Sequence, residues 1–234
     1  MMDMRISALS ALGWWREAGV DVIVDDVARD WLRPASAPAI EPARSAEPAA
    51  DALPATLAAM QAKLAEPGLV PNAIGTPVAP CGTVASGLML LADMPEPGDP
   101  DAGQLVSGDA GRLLDRMLGA IGRDRASIYL APFAPARPAG GRLATPTCET
   151  LAKLALHHIA LAQPRMLLLL GDAPARALLG LGLAEARGRI HKLNHLGHTV
   201  DVVATFHPRY LLREQGAKAK AWQDLRCLLG GLTR

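Results

Sequence analysis

The chain has 234 residues, half of them hydrophobic, with only 3% aromatic and a formal net charge of +1. That length accommodates one sizeable domain plus extras, with a core built mainly of Leu, Ala, Val and Ile. No run of about 18 apolar residues occurs, so no membrane-spanning helix is expected. The N-terminus, MMDMRISALSALGWW, lacks a basic stretch followed by a long apolar one, so no secretory signal is read and a cytoplasmic protein is expected.

Residues 6–18, with Trp14 and Trp15, place apolar residues at helical spacing, and a second short segment runs from Val24 to Trp31. Together they predict a helical N-terminal segment over 1–33. Residues 34–54 (PASAPAIEPARSAEPAADALP) are rich in Pro and Ala, lack periodicity and read as a flexible linker. A helix over 55–65 should follow, ended by Pro67-Gly68. From residue 87 onward short apolar runs alternate with helical patterns. The runs cover 87–93, 127–133, 165–171 and 199–206; the helical patterns cover 110–121, 150–162, 173–181 and 217–229. This rhythm predicts one α/β domain over 55–234, a three-layer α/β/α arrangement with a four-stranded parallel sheet. In such sheets a ligand binds beyond the carboxyl ends of the strands, here at Asp93, Pro132, Gly171 and His207.

Charge is unevenly distributed. Residues 1–110 carry 6 Lys and Arg against 15 Asp and Glu, whereas residues 111–234 carry 18 against 8 and all six histidines. A basic half is the footprint of a polyanionic partner, unless both halves fold together and the charges mix on one surface. Cys81, Cys148 and Cys227 form no CxxC pair, which argues against a disulfide framework and a four-thiolate metal site. His191, His195 and His198 lie in a turn leading into the last strand with no carboxylate or cysteine close in sequence, so no metal site is expected there. Neither GxxxxGK[ST] nor a GxGxxG after a strand is present, which leaves nucleotide cofactors without support.

The segment HPRYLLREQGAKAKAWQDLRCLL (207–229) resembles a conserved motif of the bacterial family-4 uracil-DNA glycosylases, His-Pro-x-Tyr-Leu-Leu-Arg followed by Lys, Trp and Asp-Leu. Residues 107–130 and 164–180 resemble the same family, and ADMPE (92–96) falls where it has Gly-Glu-Ala-Pro-Gly. The resemblance spans roughly residues 87–229. It implies cleavage of the bond between uracil and deoxyribose in DNA, with the nucleotide extruded into a pocket. It assigns His207 to a uracil carbonyl, where it would steady the departing anion, and Asp93 to the attacking water and the cationic sugar. It makes Pro95, Val106 and Pro132 the base pocket. Leu211 and Leu212 would be an apolar wedge. Arg187, Arg189, Arg209, Tyr210, Arg213 and Lys218 would contact DNA.

This sequence also departs from the family. Pro132 replaces an Asn whose amide reads the uracil edge, and proline has neither amide side chain nor N–H. Val106 replaces a stacking Phe and offers no π-face. Two cysteines of an iron–sulfur cluster are replaced, at Ala136 and near Leu151, so no cluster is expected; Ala92 and Glu96 replace glycines. Three readings therefore stand open. The first is a DNA glycosylase, the second a catalytically impaired DNA-binding or repair-associated module, and the third an interaction domain docking a protein partner through the Trp14-Trp15 helix.

Overall fold

The computed structural model describes residues 53–233. The expected helical segment over 1–33, its docking role, and all but the last two positions of the expected linker lie outside these residues.

Helix α1 (Leu57–Ala65) is capped by the Thr56 hydroxyl, which accepts from the Ala59 N–H at 3.2 Å. Strands β1 (Ala73–Ile74) and β2 (Cys81–Gly82) follow, then β3 (Leu88–Ala92), the short helix α2 (Asp99–Ala102) and helix α3 (Gly108–Ala120). Next come β4 (Tyr129–Pro132), β5 (Arg137–Pro138), helix α4 (Thr145–Ala162), β6 (Met166–Leu170), helices α5 (Asp172–Leu179) and α6 (Leu183–Ala186), and β7 (His191–His195). β8 (His198–Thr205), α7 (Pro208–Arg213) and α8 (Lys218–Leu232) complete the domain. Helix α4 begins five residues before the predicted start because Pro146 stands in its first turn, where a missing N–H costs nothing.

The main sheet has the order β2-β4-β3-β6-β8-β7. β4, β3, β6 and β8 pair in parallel, as the alternating pattern predicts. The sheet has six strands rather than four, because β2 and β7 add antiparallel edges. Neither edge has a legible strand pattern: β2 is two residues long, and β7 (HKLNH) buries only Leu193. β7 is joined to β8 by Leu196-Gly197, both at positive φ, the two-residue turn that matches the twist of a hairpin. His191, His195 and His198 thus sit on an edge hairpin. The His191 Nε2 contacts the Ala186 carbonyl at 2.6 Å.

Side chains alternate across the parallel strands, so each strand feeds two cores. Met89, Leu91, Leu167, Leu169, Val202 and Ala204 face the layer of α1, α4 and α5. Leu88, Leu90, Met166, Leu168, Leu170 and Val203 face α3 and α8. Burial on both faces explains why β3 and β6 read as unbroken apolar runs. The chain leaves β3 toward α3 on one face and leaves β6 toward α5 on the other. Adjacent strands whose connections diverge in this way open a crevice at their carboxyl ends. Among the described residues no helix is long and apolar enough to cross a membrane.

Candidate active site

Asp93 follows β3, Gly171 and Asp172 follow β6, and His207 follows β8. These residues meet around a cavity of about 360 Å³, completed by Leu183, Phe206, Arg209 and Tyr210. A second cleft, of about 560 Å³, opens on the other side of Asp93, Asp172 and Arg209, with Arg142, Cys148 and Arg176 in its wall. Gly171 has φ of 111°, and a side chain there would come within 3.4 Å of Asp93 Oδ2. Glycine therefore serves both the turn and the approach to the carboxylate.

Asp93 and His207 are both buried, at 7% and 3% exposure. His207 Nδ1 accepts the backbone N–H of Arg209 at 3.2 Å, which fixes the ring proton on Nε2. That Nε2 has no hydrogen-bond partner and lies 3.6 Å from Asp93 Oδ1. Burial, with the cations of Arg209 and Arg137 nearby, depresses the His207 pKa to about 3. The imidazole is therefore neutral at physiological pH and presents one unused donor. Burial raises Asp93 to about 6; Arg209, the Met94 N–H and Arg137 oppose the rise, while Glu96 reinforces it.

Arg209 ties the two acidic groups of this loop together. Its guanidinium bonds Asp93 Oδ2 and donates to Glu96 Oε1 at 2.9 Å. Glu96 also stands 3.6 Å from His207 Nδ1. The loop backbone is organised by Asp99, which is fully buried. Its carboxylate accepts the N–H groups of Glu96, Val106 and Ser107 at 2.7 to 2.8 Å. Arg125 holds the carbonyls of Leu105 and Val106 at 2.8 and 2.7 Å. Val106 is thereby kept at φ 53°, a left-handed conformation costly for a β-branched residue. Arg137 donates to the Pro95 carbonyl at 3.1 Å.

The structure places the remaining expected site residues as follows. Val106 is fully buried in the core, and Pro95 and Pro132 are also buried. The walls of the two cavities that border Asp93 are made by other residues. Leu211 is only 1% exposed and belongs to the same apolar core as Leu114 and Leu225. Arg187 forms a two-pronged ion pair with the fully buried Asp224 at 2.9 to 3.1 Å. The Thr205 hydroxyl completes this cluster, donating to Asp224 at 2.9 Å. By contrast Arg189, Tyr210, Leu212, Arg213 and Lys218 are exposed.

Glu96, Asp99, Arg137, Phe206 and Asp224 belong to this architecture and were not among the expected site residues. For Glu96 and Arg209, 113 positions apart, no local pattern signals the pairing. For Asp99 no local pattern signals the role either, because the N–H groups its carboxylate accepts, those of Glu96, Val106 and Ser107, lie outside its own short helix.

Ala136 and Leu151, at and near the positions where the resemblance would put two cluster cysteines, are 4% and 0% exposed in the apolar core. Among the described residues no group of three or more His, Cys, Asp or Glu converges as a metal site. This donor set does not fit an iron–sulfur cluster.

Similarity to known proteins agrees with the fold. The chain is 26% identical over 159 residues to the Type-4 uracil-DNA glycosylase of Pyrobaculum aerophilum, covering 64% of this chain and 80% of that protein. It is 24% identical over 138 residues to the Type-4 uracil-DNA glycosylase of Archaeoglobus fulgidus, covering 56% and 69%. The family model of the Uracil DNA glycosylase superfamily matches residues 80–226, a stretch that runs from the strand β2 into α8 and contains the whole cavity wall. With more than half its length matched, the chain belongs to the Uracil DNA glycosylase superfamily.

Proposed function

We propose that this protein is a DNA glycosylase that hydrolyses the N-glycosidic bond of uracil or a related deaminated base in DNA. The observation that carries this reading is the pairing of Asp93 with a neutral His207 in one cavity at the sheet's switch point. The nucleotide is extruded from the strand and enters that cavity. Ionised Asp93 orients water toward the sugar and offsets the positive charge that develops there as the bond to the base breaks. The Nε2–H of His207 donates to a carbonyl oxygen of the departing base, where negative charge accumulates. A neutral donor with no competing partner suits this task, because it strengthens its bond in the transition state without first giving up another. Exposed Arg189, Arg213 and Lys218 follow the phosphates, and Leu212, 40% exposed, takes the wedge role in place of Leu211. The chemistry runs without the iron–sulfur cluster, a reading supported by the apolar burial of Ala136 and Leu151.

A second reading, a DNA-binding module without catalysis, draws support from the Arg209 bridge across Asp93 and Glu96 together with the loss of the base-reading Asn at Pro132. One assay separates the two. The protein is incubated with single- and double-stranded oligonucleotides carrying uracil, hypoxanthine or xanthine, followed by alkali to cleave abasic sites. Strand breaks that disappear in His207→Ala support catalysis. Salt-sensitive binding without breaks supports the binding module.

A further inference from the structure

An aromatic surface borders the cavity, and the Asp93–His207 pair makes no use of it. Phe206 and Tyr210 stack with ring centroids 5.1 Å apart and planes 16° from parallel. The guanidinium of Arg187 lies over the Phe206 ring, 4.7 Å from its centroid. Arg187 is in turn fixed by its two-pronged pair with buried Asp224. The ring beneath Tyr210 is thus anchored to the core on a support that does not need DNA to order it. Tyr210 itself is 45% exposed, and both rings line the same cavity as His207 and Asp93. Val106 is fully buried, carries no ring and lines neither cavity that borders Asp93. The volume of about 360 Å³ is of the size that takes a small planar ligand.

We infer that the ring of Tyr210, backed by Phe206 and Arg187, is the surface on which the nucleobase entering this cavity stacks; the inference rests on the glycosylase reading above. Every base has a π-face, so an aromatic platform binds it whatever its edge pattern, while edge chemistry is left to His207. Phe206 and Tyr210 flank His207 in the chain, on the end of β8 and the first turn of α7, so stacking surface and hydrogen-bond donor share one cavity.

The test compares binding of a base with binding of the same strand without it. Fluorescence anisotropy measures the affinity of the full chain for single-stranded oligonucleotides of two kinds. One carries a 2′-fluorinated deoxyuridine or deoxyinosine, which resists cleavage; the other carries an abasic tetrahydrofuran at the same position. The unmutated chain and Tyr210→Phe should prefer the base-carrying strand by about ten-fold, the order expected for one stacked base. Tyr210→Ala should lose that preference while binding the abasic strand as before. A preference retained in Tyr210→Ala overturns the inference, as does the absence of any preference in the unmutated chain. If uracil-dependent strand breaks persist in that case, the glycosylase reading survives and only the platform falls. Absence of both breaks and DNA binding would bring down the two together.

Discussion

The Nε2 of His207 and the Oδ1 of Asp93 stand 3.6 Å apart, near enough for each to sense the other's charge and just beyond hydrogen-bonding distance. The separation matters because neither group consumes the other's capacity. The imidazole keeps its donor and the carboxylate keeps lone pairs for water. Burial acts on the two in opposite directions, pushing Asp93 up to about 6 and His207 down to about 3. Above pH 6 the carboxyl is ionised and the imidazole neutral, the states that the proposed mechanism uses.

On the proposed glycosylase reading, the Asp93 carboxyl sets the pH dependence of activity. kcat/KM should rise with a single ionisation near pH 6, the Asp93 carboxyl, and then stay level through pH 8. No step near pH 6.5 should come from His207, which is already neutral there. A pH profile of alkali-labile break formation checks this; a rise governed by a group near 4 would refute the assignment of Asp93.

Stability should respond to the same carboxyl with a definite sign. The folded chain holds the Asp93 proton more tightly than the unfolded chain, whose value is near 3.8. Its contribution is therefore greatest below pH 3.8 and is lost as pH rises through 6. Asp93→Asn removes this loss. Relative to the unmutated protein, the variant should gain about 2 kcal/mol between pH 4 and pH 8 in urea unfolding while losing strand cleavage.

Arg209 lowers the pKa of Asp93, second only to the burial that raises it. Arg209→Gln removes that cation and should shift the acid limb of the activity profile upward by about one unit. An unshifted limb in this variant would show that the guanidinium does not set the carboxyl's ionisation.

Arg187 and Arg213 should separate into a structural and a DNA-facing role. Arg187→Ala leaves the buried Asp224 carboxylate without its cation and should cost about 3 kcal/mol of folding stability, read as a lower urea midpoint. Arg213→Ala removes an exposed charge. It should leave stability unchanged and reduce the salt slope of DNA binding by about one.

Asp99 holds three backbone N–H groups of the loop that carries Glu96 and Val106. Asp99→Ala should lower stability by about 3 kcal/mol, because buried donors would lose their acceptor. It should also lower kcat/KM, since the loop beginning at Asp93 loses its brace. Unfolding and steady-state measurements on the same variant check both effects.

Much of the architecture is written locally, because period and polarity are properties of neighbouring residues. The runs at 87–93 and 165–171 are apolar throughout, since β3 and β6 are covered on both faces, and this made the parallel sheet legible. His-Pro before Tyr-Leu-Leu-Arg marked the end of a buried strand and the start of the helix that His207 caps. The two-residue strand β2 and the polar hairpin strand β7 carry too little pattern to be read, which is why the sheet gained two edges.

What the sequence alone determined is the fold class and the placement of Asp93 and His207 at the carboxyl ends of two parallel strands. What only the tertiary structure decided is the use of each neighbouring side chain. Arg187 and Leu211 have the residue types of DNA contacts, but their environment is Asp224 and the apolar core. Phe206 and Tyr210 become a stacked pair, and Arg209 becomes the bridge between Asp93 and Glu96. Such roles depend on distances between residues that lie on different strands and loops. A charge or ring declares its chemistry in the sequence, but its partner is chosen by the packing that brings remote segments together.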